Sequence, residues 1–282
     1  MKISAKICKK LNNVFPLPAH PFNMSNDGVM TYGEWQYERG AETIKFYLSF
    51  SSVDEMFVGK TVLDIGCGAA GKTLYYASLG VKKIYGAEIL EKYREEANTH
   101  AVKRSLQDRF EFIHADAAKL PLETASIDTI IMNDAMEHVD EPEAVIQECL
   151  RVLSPGGKLF LNFPPYYHPF GAHLSDAIGI PWVHMLFNED TLIQVYKDAV
   201  AKHPDGDDRI DFRIAKDING KEYFSYINKM TIQRFKKILK AMNIQPIYYG
   251  EIPLRNILKP LVHVPVVKEV AVKMVVCVIR KH

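Results

Sequence analysis

The sequence predicts an α/β protein on a Rossmann-like, doubly wound sheet, and three observations between residues 60 and 163 predict it. Short β-rich apolar runs alternate with longer amphipathic segments, the pattern of βαβ units on a parallel sheet. A glycine-rich turn, Asp64-Ile65-Gly66-Cys67-Gly68-Ala69-Ala70-Gly71, follows the first run directly and opens a helix. Acids then close the next two runs, Glu88 and Asp116, at the strand ends where open α/β sheets bind ligands.

Strands are expected at Thr61 to Ile65, Lys83 to Ala87, Phe110 to His114, Ile127 to Met132 and Lys158 to Asn162. The helices between them should run from Lys72 to Leu79, ended by Gly80, from Glu91 to Leu106, and from Glu141 to Leu153, ended by a Ser154-Pro155-Gly156-Gly157 turn. Residues 1–58 read as an N-terminal helical cap: a Pro-rich loop from Phe15 to Phe22, then a helix from Met30 to Phe50 carrying Trp35, Tyr37, Phe46, Tyr47 and Phe50. The core occupies 59–165. An insertion follows strand five, 166–228, with a helix near Thr191 to Lys202, a polar segment at Asp205 to Asp208, and a hairpin from Phe212 to Ile227 whose Asn219-Gly220 pair suits a type I′ turn. The last part, 229–282, offers a helix capped by Thr231 and ending at Met242, then strands at Ile244 to Tyr249 and Lys273 to Ile279.

With 282 residues, 48% of them hydrophobic and 24% charged, the chain suits one catalytic domain with appendages around a sizeable core. No apolar run approaches the ~20 residues that span a bilayer, and Met1 to Val14 lacks the continuous apolar stretch of a secretory signal. Cys8, Cys67, Cys149 and Cys277 form no CxxC pair, so neither a metal site nor a disulfide framework is expected, and the location expected is cytoplasmic. The net charge is +1, but residues 229–282 carry +9 and the remainder −8. That leaves nucleic acid an unexpected partner, while the basic C-terminal region, alternately apolar and cationic from Leu254 to Val278, is suited to weak peripheral contact with an anionic membrane.

The glycine turn has two readings. Gly66 to Thr73 satisfies both G-x-G-x-x-G and the phosphate-loop pattern G-x-x-x-x-G-K-T, so a nucleotide triphosphatase is a real alternative. Asp64 argues the other way, because a carboxylate beside the loop would repel polyphosphate by about 1–4 kcal/mol per close charge pair. S-adenosylmethionine carries an ammonium and a sulfonium there instead, which an acid stabilises. Glu88, 22 positions after Gly66, is placed to accept from both ribose hydroxyls, and Asp116 to meet an adenine amino group, with Ile89 and Ala117 beside them. Helix capping is the plain structural role for either acid.

On these residues the chain resembles class I S-adenosylmethionine-dependent methyltransferases, in particular those similar to ubiquinone and menaquinone biosynthesis methyltransferases. The matching pieces are Val62-Leu63-Asp64-Ile65-Gly66-Cys67-Gly68, Glu88, Ala115-Asp116-Ala117, Leu120-Pro121-Leu122 through Asp128, Ala135-Met136-Glu137-His138-Val139, and Leu150 through Leu159. The resemblance implies a seven-stranded sheet with its last strand antiparallel and S-adenosyl-L-methionine as cofactor. It also implies roles for Asp64, Gly66 and Gly68 at the methionine end, Glu88 at the ribose, Asp116 at the adenine, and Asn133 or Asp134 at strand four. It fades outside residues 60–164.

Methyl transfer from a sulfonium is an in-line displacement, so a catalytic base is needed only where the acceptor must lose a proton. Candidate bases cluster after strand five: Tyr166, Tyr167, His168, His173 and His184, among which His168 and His173 are the candidate catalytic residues, although a structural hydrogen-bonding role fits each as well. The aromatic segments Met30 to Phe50 and Phe163 to Phe187 could together exclude water from an apolar, small-molecule or lipid-like acceptor. A non-catalytic cofactor-binding protein of the same fold is the third possibility.

Overall fold

The computed structural model describes residues 2–18, 20, 23, 30–265 and 267–282; the Phe22 end of the expected Pro-rich loop lies outside them. The chain divides into two compact units. One comprises Met30–Phe163, Ile232–Ile252 and Met274–His282, the other Met1–Val29, Pro164–Thr231 and Pro253–Lys273. Residues 1–29 therefore group with the insertion, and residues 30–58 group with the sheet.

In chain order the elements begin with α1 (Ile3–Asn12), α2 (Tyr32–Glu38), α3 (Gly40–Ile44) and α4 (Val53–Phe57). The core follows as β1 (Thr61–Ile65), α5 (Gly71–Ser78), β2 (Lys83–Glu88), α6 (Arg94–Lys103), β3 (Phe110–His114), β4 (Ile127–Asn133), α7 (Pro142–Val152) and β5 (Leu153–Phe163). Then come α8 (Val183–Leu186), α9 (Glu189–Val200), α10 (Gly206–Arg213), β6 (Ile214–Lys216), β7 (Glu222–Phe224), α11 (Ile232–Ala241), β8 (Tyr248–Pro253), α12 (Val267–Ala271) and β9 (Val272–Arg280).

Seven strands form one sheet in the order β3-β2-β1-β4-β5-β9-β8. The five core strands are parallel, and β9 runs antiparallel to β5, Phe163 facing Val275 and Lys158 facing Arg280. This is the doubly wound seven-stranded sheet that the sequence predicts. Its central strands are apolar on both faces because helices cover both, and Val62, Leu63, Ile130, Ile131, Leu159, Phe160 and Leu161 are fully buried. In α7, Pro142 starts the helix and Val145, Ile146, Cys149 and Val152 fall on one buried stripe.

Several elements depart from the sequence reading. The aromatic helix expected from Met30 to Phe50 is two helices: Thr31 caps α2 in a capping box with Glu34, and Gly40 starts α3 where a Cβ would lie 2.1 Å from the Tyr75 ring. The helix expected from Glu91 opens as a 3-10 turn and stops at Lys103, with Ser105 left-handed at φ 56°. Ser154-Pro155-Gly156-Gly157 makes no free turn; β5 runs through it, and the register with β4 shifts between Ile127 and Thr129 to absorb it. The polar segment at Asp205 to Asp208 opens α10, because its acids lie in a first turn where they suit the helix dipole. The hairpin forms, but Lys216 pairs with Glu222, so the loop is longer than two residues; Gly220 alone of the Asn219-Gly220 pair has positive φ, and the Asp217 carboxylate accepts from the Asn219 and Lys221 N–H groups.

In the second unit, Ala5, Cys8, Leu192, Val195 and Tyr196 share a core with Ala172, Leu174 and Ile178. A fully buried carboxylate, Asp176, lies 3.3 Å from Arg209 and 3.2 Å from Arg213 and accepts a 2.9 Å hydrogen bond from the Tyr196 hydroxyl. Buried charge is tolerated here because it is matched.

Candidate functional site

Parallel strands β3, β2, β1 and β4 are neighbours, so the residues that end or follow them, Asp116, Glu88, Gly66 and Asp134, gather at one end of the sheet. Gly66 (φ 75°) and Gly68 (φ 52°) take left-handed torsions that favour glycine. Gly71 is required for another reason: a Cβ there would lie 2.1 Å from the Gly33 carbonyl oxygen, so the third glycine of the motif lets α2 pack onto α5.

Glu88 holds this turn. Its Oε2 accepts from the Gly68 N–H and its Oε1 from the Leu90 N–H, both at 3.0 Å. Beside it Ile89 is 61% exposed, an apolar side chain left open at a strand end. Asp116 is exposed and accepts from the Ala118 N–H at 2.8 Å, which orders the turn containing the half-buried Ala117.

Asp64 lies deeper than its place in the motif suggests. It is 2% exposed, its Oδ2 accepts from the Thr73 hydroxyl at 2.5 Å, and burial pushes its pKa up to about 6. Lys72 is buried too, its Nζ donating to the Asn133 carbonyl at 3.3 Å. Burial opposes its charge, but Asp134, Tyr32, Tyr76 and Asp64 outweigh that and hold its pKa above the ordinary lysine value. A phosphate loop needs this lysine on the phosphates and the following hydroxyl on a magnesium ion. Here both side chains are directed inward, to Asn133 and Asp64.

The two strand-four candidates differ sharply. Asn133 is buried in a hydrogen-bonded knot: its Oδ1 accepts from the Tyr47 hydroxyl and from Asn162 Nδ2 (2.7 Å), and its Nδ2 donates to the Tyr76 hydroxyl (3.1 Å) and the Thr43 carbonyl (3.3 Å). Its side chain is thus engaged within the protein, joining α3, α5, β4 and β5. Asp134 is exposed and left-handed at φ 52°, a strained backbone for a residue at a strand end. Glu137, three residues further, is buried, and burial followed by the Asp134 charge raises its pKa well above the carboxylate range.

Sequence reasoning missed Tyr32, Tyr76 and Asn162, and named Tyr47 and Thr73 only as a helix aromatic and as the end of the phosphate-loop pattern. Tyr32 accepts from Gln36 Nε2 at 2.6 Å, and burial raises its pKa despite Lys72. Asn162 carried a signal, an amide near the end of an otherwise apolar strand and level with Asn133 in the sheet register.

His168 and His173 belong to the second unit. His168 Nδ1 accepts from the Phe170 N–H at 3.2 Å, and burial, then Lys273 and His184, lower its pKa to about 4. His173 is left-handed at φ 52°, and its carbonyl accepts from Arg213 Nε and from the Tyr226 hydroxyl.

A family model described as a methyltransferase domain matches residues 63–161, the span from β1 to β5. This part of the chain is a class I methyltransferase domain. Among curated relatives, 27-O-demethylrifamycin SV methyltransferase of Amycolatopsis mediterranei is 38% identical over 37% of this chain and 38% of its own. The ubiquinone biosynthesis O-methyltransferase of Cupriavidus pinatubonensis is 32% identical over 47% of this chain and 52% of its own. The chain thus spans about half or less of the length of these curated relatives. Solved structures follow the fold further. A Pyrococcus horikoshii protein covers 88% of this chain and 92% of its own at TM-score 0.53 and 17% identity. A geranyl diphosphate methyltransferase in complex with S-adenosylmethionine covers 86% and 85% at TM-score 0.54 and 13% identity.

Proposed function

We propose that the chain transfers a methyl group from S-adenosylmethionine to a small-molecule or lipid-like acceptor, of which a quinone-like ring is one class. One observation supports this most: a left-handed glycine turn tied to a strand-end carboxylate, Glu88, with Lys72 and Thr73 drawn away from it. A polyphosphate would find no lysine presented by that turn, whereas an uncharged nucleoside would find two acids, Glu88 and Asp116, and the open side chain of Ile89. The residues present therefore fit the cofactor. When bound, it supplies a methyl carbon on a sulfonium, a good leaving group that an oriented acceptor displaces in line.

The chain's own residues would do the rest. Gly66 and Gly68 allow close backbone approach; Glu88 would hold the ribose hydroxyls; Ile89 would cover one face of the adenine, with Asp116 near its amino group. Asp134 is an exposed acid whose charge favours the ionised form of the buried Lys72, and it would face the amino-acid end. A base is dispensable unless the acceptor is a phenol or a carbon acid. Relatives named for O-methylation support an oxygen acceptor.

Calorimetry with S-adenosylhomocysteine and with ATP tests this directly. Micromolar binding of the first and none of the second is expected; the reverse would restore the triphosphatase reading. Mass-spectrometric detection of an acceptor gaining one methyl group separates an enzyme from a non-catalytic binder of the same cofactor.

A further inference from the structure

Helix α1 has two apolar faces, and its unit uses one. Ala5 and Cys8 are fully buried against the core with Val195 and Tyr196, and Ser4 shares a 2.8 Å hydrogen bond with Thr191. Lys2 and Lys9 pin the helix by ion pairs to Asp190 and Asp198. At 100° per residue, Ile3, Ile7 and Leu11 fall together on a different face, where they are 77%, 50% and 39% exposed, and Val14 in the turn that follows is 77% exposed. A helix that merely covers a core carries polar residues there. This one contains no acid, and Lys6 and Lys10, both exposed and without an ion pair among the described residues, border the apolar stripe.

The chain beyond the helix continues the pattern with exposed Phe15 and Leu17. Its backbone is held close: a Cβ on Gly179 would lie 2.6 Å from the Pro16 carbonyl oxygen, and the Asn12 amide clasps the Ala177 carbonyl and the Gly179 N–H at 2.9 and 2.8 Å. The apolar side chains are presented on an ordered frame.

We propose that this face of α1, with the turn after it, docks on an anionic lipid bilayer. An apolar stripe edged by lysines is the arrangement that settles at the boundary between headgroups and acyl chains, and lysines lacking counter-ions complement anionic headgroups. A second copy of the chain is the weaker occupant, since a twofold contact brings the same patch together and would set Lys6 and Lys10 of both copies into one interface with no acid of α1 between them. In the basic C-terminal region Val275 to Ile279 are buried in β9, while Ile257, Leu261, Val264 and Val267 are exposed. The surface uses none of the residues of the cofactor turn, so the proposal stands whether or not that reading holds.

Vesicle flotation of the full chain tests it, using phosphatidylcholine alone and phosphatidylcholine mixed with phosphatidylglycerol, at low and high salt. Binding to the mixed vesicles at low salt is expected, weakened by salt and by omitting phosphatidylglycerol. Each lysine contributes about fivefold near such a surface, so Lys6→Glu with Lys10→Glu should lower affinity at least about 25-fold. Ile3→Ser with Ile7→Ser should lower it at least about tenfold, with an unchanged thermal transition because both side chains are exposed. No flotation of the wild type, flotation indifferent to both double variants, or a dimer in light scattering that the serine variant splits would each overturn the proposal.

Discussion

Thr73→Val probes the charge arrangement under the glycine turn. Valine keeps the volume of threonine but cannot donate, so Asp64, at 2% exposure, loses its 2.5 Å hydrogen bond. A hydrogen bond to a charged group contributes about 1.5–3 kcal/mol and a neutral one about 1 kcal/mol. Which value applies depends on pH, since burial raises the folded pKa of Asp64 from 3.8 to about 6. With the folded value above the unfolded one, the group's contribution to stability is fully present below pH 3.8 and is lost as pH rises to about 6, some 3 kcal/mol in all at about 1.36 kcal/mol per pH unit. Thr73 lessens that loss by favouring the ionised form. The variant should therefore trail wild type by about 1 kcal/mol while Asp64 is protonated, near pH 5, and by about 1.5–3 kcal/mol once it is ionised, near pH 8. Urea unfolding followed by circular dichroism at the two pH values measures this, with Asp64→Asn expected to remove the pH dependence. A deficit of the same size at both pH values would refute the argument.

Four further outcomes follow from the same geometry. Tyr47→Phe removes the hydroxyl that bonds both Asn133 and Asn162, and unfolding should show a loss of about 1–3 kcal/mol. Asp176→Asn takes the buried carboxylate from between Arg213 and Arg209, leaving Arg209 its Asp205 ion pair, and should cost about 3–5 kcal/mol by the same measurement. Glu88→Gln keeps the side-chain shape but weakens both its bonds to the turn and the proposed hold on the ribose; calorimetry should show S-adenosylhomocysteine affinity falling about 10- to 100-fold, and unchanged affinity would remove Glu88 from the site. His168, with its pKa lowered to about 4, should stay neutral across the physiological range, so its ring resonances should titrate near pH 4 by NMR. A midpoint near the ordinary histidine value would make it a competent base after all.

How much of this was legible beforehand follows a physical rule. Strands β1 and β4 were readable because each is a short apolar run buried on both faces, and β3 because buried Phe110 and Phe112 alternate with exposed Glu111, properties of the run itself. The break between α2 and α3 was not, since it depends on Gly40 meeting Tyr75, a residue 35 positions away. In the hairpin, Asn219-Gly220 signalled a turn correctly, but the turn's type was decided by the Asp217 carboxylate satisfying two N–H groups. Helix α10 hid behind Asp205, Asp207 and Asp208, whose clustering looks like solvated loop until the dipole of a helix start is considered.

The glycine turn itself shows a correct inference resting on an incomplete cause. From the sequence, Asp64 argued against a phosphate loop by repelling phosphate as a charge at its mouth. In the fold Asp64 is buried and in part protonatable, so its direct repulsion is weaker than that argument assumed. The decisive effect is what Asp64 and strand four do to the two residues that complete the phosphate motif. Thr73 is spent on Asp64, and Lys72 on the Asn133 carbonyl, with Asp134 keeping the lysine charged in place. Lys72 is drawn inward by the strand-four carbonyl and by the groups around it, Asp134 first and Asp64 among the rest. In a chain with the same eight residues from Gly66 to Thr73 but an apolar residue at position 64, burial of that lysine would lose part of its compensation, and the side chain would gain by turning out toward solvent or an anion. Asp64→Leu is the corresponding experiment: it should lower stability and, if the reasoning is right, release Lys72 enough for ATP to become a detectable ligand of a turn that otherwise ignores it.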